Sequence, residues 1–214
     1  MKYLFLFLAS LLVFSISPLW GQVDEETKGS AMAEAFVSYF DGENVGNLHI
    51  YAPQGSWADP DYAFHGKKLP KGLRGLFANN WREELPEDFR TYAVYQIRWG
   101  DENAYILRFA GAGTNNLIAL FRLEGDRLYY LRTLAAYHCM NDYCFQLDSW
   151  IQDFNGDVML DILQKARTVQ HFLVKQPMDE YTQFLEQNDR GEFHPADPEG
   201  INLKDYRLSK QVEK

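Results

Sequence analysis

Between residues 91 and 151 one pattern recurs: a short segment rich in aromatic and β-branched residues, then a cluster of turn formers. Segments 91–99, 104–109, 116–123, 127–139 and 143–151 read as strands. Between them stand Gly100-Asp101-Glu102-Asn103, the stretch 111–115, Glu124-Gly125-Asp126 and Asn141-Asp142. Such connections are too short for a crossover, so consecutive strands must lie antiparallel as a meander. Within 143–151, Phe145, Leu147 and Ile151 fall on one face and Trp150 on the other. Elsewhere the reading is coarser. Residues 31–40 suit a helix or a strand, and 73–81 suit a short helix that Pro86 helps to end. Residues 188–214 are polar and loop-rich. The expected fold class is mainly β with minor helix: an antiparallel β-meander.

The two cysteines fit this hairpin geometry. A two-residue turn at Asn141-Asp142 makes Met140 and Tyr143 a hydrogen-bonded pair. Cys139 and Cys144 then form the next, non-hydrogen-bonded pair, with Cα atoms about 4.5 Å apart and within disulfide range. So small a loop yields about 2 kcal/mol in the chain-entropy model. Zinc is disfavoured, because His138 is the sole further ligand type close by.

The N-terminus reads as a signal peptide over residues 1–21. Lys2 supplies the positive start, residues 4–16 form an uncharged apolar run, and 17–21 a short polar-to-small end. The run falls short of the about 20 residues that span a bilayer. No cysteine near the expected cut after Gly21 offers a lipid anchor. The expected product is a secreted or periplasmic domain over 22–214, with no membrane span after cleavage. An oxidising compartment also favours the disulfide. The chain has a net charge of −9, and the leader takes away one base and no acid. So acidic a surface argues against nucleic-acid partners, which depend on basic patches.

Residues 153–161 read Asp153-Phe154-Asn155-Gly156-Asp157-Val158-Met159-Leu160-Asp161. Oxygen-bearing side chains occupy loop positions 1, 3, 5 and 9. That spacing lets one loop fold around a hard cation. Ca²⁺ takes six to eight oxygens at about 2.3–2.6 Å, and carboxylates supply both ligands and counter-charge. An EF-hand does not fit, since position 12 is Gln164 rather than Glu. A metal-free acidic turn between strands is the competing reading. After the loop, Met159, Ile162, Leu163, Ala166, Val169 and Leu173 recur at helical spacing, so 162–174 is open between helix and strand.

From about residue 148 to 197 the chain resembles one copy of the FG-GAP/VCBS repeat, found in integrin-type β-propellers and secreted bacterial proteins. The resemblance rests on Asp153-Phe154-Asn155-Gly156-Asp157, then Asp161-Ile162-Leu163, and later 184–193 with its Gly191-Glu192-Phe193 end. It implies side-chain ligands Asp153, Asn155, Asp157 and Asp161, with the backbone carbonyl of Met159 at position 7. It also implies a strand over 162–174 and a hairpin near 188–191 instead of a helix through 180–187. The family usually places Gly at position 6, where the chain bends through positive φ. Val158 stands there, and a β-branched residue resists that bend. One repeat is not a complete propeller, which needs at least four blades of about 40–50 residues.

Catalytic signatures are sparse. The histidines lack metal-pair spacing, there is no Gly-x-Ser-x-Gly elbow, and Gly111-Ala112-Gly113-Thr114 lacks a phosphate-loop lysine. His65 near Asp59, Asp61 and Lys67 reads as a solvated polar loop. The leading expectation is an exported, non-catalytic Ca²⁺-binding β-domain acting in adhesion or recognition on a protein or glycan. A metal-independent protein- or carbohydrate-binding β-domain and a secreted hydrolase are the alternatives.

Overall fold

The computed structural model describes residues 25–44, 47–53, 62–78, 81, 89–99, 102–111, 116–140, 142–170, 177–188 and 190–209. The expected signal peptide, most of the turns at 100–103 and 111–115, Asn141, the Asp59 and Asp61 of the polar cluster, Trp57, His171 and Pro86 lie outside them.

The described chain is mainly β. Helix α1 (Glu25–Val37) is followed by β1 (Glu43–Asn44), β2 (Leu48–Tyr51), β3 (Lys67–Lys68) and a 3-10 helix (Lys71–Leu76). Then come β4 (Arg90–Trp99), β5 (Glu102–Ala110), β6 (Asn116–Glu124), β7 (Arg127–Met140), β8 (Tyr143–Gln152), β9 (Asp161–Gln170), β10 (Pro177–Gln187) and β11 (Phe193–Ala196). Strands β4 to β11 pair in chain order and antiparallel, the expected meander, while the short β1 adds to β4 in parallel. Helix wins over strand at 31–37, and of the segment 73–81 the residues up to Leu76 form the end of the 3-10 turn, with Trp81 again helical.

The sheet bends between β7 and β8. β7 runs along β8 from Ala136 to Met140, and from Asp148 to Ile151 the same edge carries β2. Freed from β8, the earlier part of β7 lets the first half of the meander lie over the second. Ile97, Ile106 and Leu120 from one half therefore share a buried cluster with Ile151, Ile162 and Leu185 from the other. Arg132 bridges the same interior, donating Nε to Gln164 Oε1 at 3.0 Å and Nη2 to Gln183 Oε1 at 3.3 Å. Gln164 in turn donates to Ser149 Oγ at 2.9 Å, so this polar row is connected across the four strands β7 to β10.

A second cluster lies on the opposite side of β5 and β6. Phe36 of α1, Phe77 after the 3-10 turn, and Phe109 and Phe121 pack there. Their rings meet edge-on or tilted, as between Phe77 and Phe121 at 5.3 Å. Trp81 stacks on Tyr130 at 4.4 Å.

The outer face of β8–β10 carries a row that runs His49, Trp150, Leu163, Phe184, Ala196 across five strands. Trp150 thus points away from Ile151, as alternation requires. The C-terminal stretch 197–209 covers this row with Ile201, Leu203 and Tyr206. Polar anchors hold it. Lys165 Nζ donates to the carbonyls of Leu203 and of Tyr206, the latter at 2.7 Å. Ser209 N–H donates to Asp148 Oδ2 at 2.6 Å. Among the described residues no helix is long and apolar enough to cross a membrane.

Candidate functional site

Residues 153–160 close the connection between β8 and β9, whose ends Gln152 and Asp161 are paired. Two apolar side chains anchor the loop. Phe154 packs on Phe184 at 5.4 Å and on Tyr206 at 5.5 Å, on the outer face. Leu160 packs against the inner cluster. The loop is therefore fixed at position 2 to one face and at position 8 to the other, while its polar residues stay at the rim.

The loop oxygens turn inward onto loop amides. Asp153 accepts N–H of Gly156 at 2.6 Å with Oδ1 and N–H of Val158 at 2.9 Å with Oδ2. Asn155 Oδ1 accepts from Asp157 N–H at 3.0 Å, and Asp157 Oδ1 from Met159 N–H at 2.8 Å. Asn155 Nδ2 also donates to Asp157 Oδ2 at 3.1 Å. Each is a local side-chain turn that Asp and Asn favour.

Position 6 keeps its bend. Val158 has φ 74°, the one non-glycine at positive φ among the described residues. Its side chain is 88% exposed, so no burial offsets the strained backbone. The Asp153 carboxylate holds the conformation by accepting the Val158 N–H.

Asp161 differs from the other three. It is fully buried, and it accepts N–H of Phe154 with Oδ2 and N–H of Gln187 with Oδ1, both at 3.2 Å. Burial pushes its carboxyl above the usual aspartate range; the two amides pull it down, and the negative charges of Asp157 and Glu186 push it up again. Glu186 sits opposite Asp161 because Leu185 pairs with Ile162 across β9–β10. Sequence spacing gave no signal for Glu186; only strand register brings it here.

Beside the loop lies an open hollow of about 260 Å³ lined by Asn155, Phe184 and Ile201 together with the carboxylates of Glu186, Asp197 and Glu199. The locality is negative and would be relieved by a cation. Among the described residues, however, no three His, Cys, Asp or Glu side chains converge in a metal-holding arrangement. The donor set fits Ca²⁺ by identity: carboxylate and amide oxygens at four positions, each with a second lone pair beyond the amide it accepts. In the described geometry those oxygens face the loop backbone.

The disulfide is present. Cys139 and Cys144 are bonded across a directly opposed pair with Cα atoms 4.0 Å apart, and Met140 pairs with Tyr143 beyond them. Of the tryptophans, Trp81 and Trp150 are buried and so not available to stack on a sugar. His49 stacks on Trp150 at 4.4 Å and lies 3.1 Å from Asp148, within the outer-face packing. Comparison with known protein families, with curated proteins and with solved structures finds no match.

Proposed function

We propose that this chain is an exported, non-catalytic β-domain whose loop 153–161 binds one Ca²⁺ and serves adhesion or recognition of a protein or glycan. The observation that carries the reading is the backbone at Val158. The loop adopts the positive-φ bend of a calcium-type loop at position 6 despite a β-branched residue there. Asp153, Asn155 and Asp157, the carbonyl of Met159 and Asp161 would hold the ion. It would staple β8 to β9 and favour the charged form of Asp161, which burial foremost, and then the charges of Asp157 and Glu186, disfavour.

Two further observations support this. The order of loop, β9, β10, turn and β11 follows the FG-GAP/VCBS-like pattern, with Asn188 N–H donating to the Glu192 carbonyl at 2.9 Å to close the last hairpin. The Cys139–Cys144 disulfide suits an oxidising compartment and so supports export.

A metal-independent binding domain is the second reading. It is favoured by the loop's internal hydrogen bonds, which satisfy its oxygens without an ion. Calorimetric titration of the full chain with CaCl₂ and MgCl₂ separates the two. The calcium reading expects a single Ca²⁺ site with Kd in roughly the 10⁻⁴–10⁻³ M range of extracellular modules, weakened at least tenfold by Asp157→Asn. Absence of Ca²⁺ heat would leave the metal-independent reading.

A further inference from the structure

A cavity of about 360 Å³ opens where the 3-10 turn meets the start of β4, and it shares no residue with loop 153–161. Its described walls carry four cationic side chains, Lys68, Lys71, Arg74 and Arg90, and no acidic one. The sequence foreshadows this. Residues 62–81 contain four bases and no acid, in a chain of net charge −9. Arg74 and Arg90 make further contacts of their own. Lys68 and Lys71 are exposed at the cavity's edge.

The remaining walls are apolar. Leu73 and Phe77 come from the 3-10 turn and its exit, and Phe89 from the approach to β4. Phe89 holds its place because residue 111 is glycine. A Cβ there would come within 2.6 Å of the ring. Thr91, 5% exposed, also lines the cavity; its Oγ1 is enclosed and has no hydrogen-bond partner among the described residues.

We propose that this cavity binds a small amphiphilic carboxylate: a carboxylate head received by Lys68 and Lys71, and an apolar body laid against Leu73, Phe77 and Phe89. The inference is independent of the calcium reading. The volume lies at the lower end of the range for small-molecule sites, and an apolar lining with a few convergent polar groups is their usual chemistry. A bare inorganic anion would leave the apolar walls wet. A neutral apolar molecule would make no use of the cationic rim.

The test is calorimetric titration of the full chain, in EDTA, with sodium decanoate, decan-1-ol and sodium acetate. Decanoate is expected to bind at least tenfold more tightly than either of the others. Lys68→Glu with Lys71→Glu, both at exposed positions, is expected to weaken decanoate at least tenfold. Equal affinity for decanoate and decan-1-ol, tighter binding of acetate, or an unchanged decanoate affinity in the double lysine variant would overturn the proposal.

Discussion

Val158→Gly should stabilise the protein, which is an unusual expectation for a substitution to glycine. Val158 sits at φ 74° with its side chain 88% exposed. An L-residue in the left-handed region bears about 1–2 kcal/mol of steric cost, and a β-branched one lies at the upper end. Glycine removes that cost. Against this, glycine makes the unfolded chain more flexible, which costs about 0.4–1 kcal/mol. Little apolar burial is lost at so exposed a position. The Val158 N–H continues to donate to Asp153, because the backbone conformation is the one glycine prefers. The net expectation is a gain of about 0.5–1 kcal/mol, or roughly 1–4 °C in Tm for a domain of this size. Differential scanning calorimetry of the full chain in EDTA measures it. Val158→Ala is the control: it keeps a Cβ and most of the strain, and should change Tm little. A fall in Tm for Val158→Gly, or an equal rise for Val158→Ala, would refute the claim that the bend is strained.

Other consequences follow from particular contacts. Replacing Cys139 and Cys144 together by Ala should lower stability by about 2 kcal/mol, the value for so short a closed loop, as read by denaturant unfolding under non-reducing conditions. Lys165→Met should free the 197–209 stretch, because Nζ donates to the Leu203 and Tyr206 carbonyls; a loss of about 1–3 kcal/mol is expected, with faster hydrogen exchange confined to that stretch. In alkaline solution Tyr62, Tyr105 and Tyr137 should stay neutral beyond the ordinary tyrosine value of 10.0, since burial raises all three. Their folded-state values exceed the unfolded one, so their stabilising contribution is complete below pH 10 and is lost as pH rises above it. Tyrosinate absorbance at 295 nm should show a fraction that ionises only above the ordinary tyrosine range.

The meander was legible because its signal is local. Aromatic and β-branched runs broken by pairs such as Gly125-Asp126 specify strands and two-residue connections, and the paired ends Glu124 and Arg127 follow from that spacing. Cys139 opposite Cys144 follows in the same way. Segment 162–174 shows where local reasoning failed. Its apolar residues recur at helical spacing, yet Asp161–Gln170 forms a strand buried between β8 and β10. A strand covered on both faces carries apolar residues on each, as Ile162 and Leu163 do, and so loses its period of two. The bend between β7 and β8 was not legible either, because it arises when β2, remote in sequence, takes over an edge. At the candidate site, the four oxygen positions were readable from spacing, but Glu186 and the anchoring roles of Phe154 and Leu160 depend on register and packing. The basic cavity shows the same division. The run of bases without acids is visible in the sequence, whereas Arg90 and Thr91 join it only through the fold.

Thermal unfolding of the full chain in EDTA and in millimolar Ca²⁺, beside Asp157→Asn, bears most directly on the calcium loop. With Kd in roughly the 10⁻⁴–10⁻³ M range, 1 mM Ca²⁺ is about 1–10 times Kd; an ion that binds only the folded state then adds about 0.4–1.4 kcal/mol, a rise of roughly 1–6 °C. Asp157→Asn removes a ligand charge while leaving Oδ1 to accept the Met159 N–H, so the loop should keep its shape in EDTA. The account predicts that Ca²⁺ raises Tm for the natural chain and that the rise is largely lost in Asp157→Asn. An unchanged Tm in Ca²⁺, or an equal rise in both proteins, would contradict it.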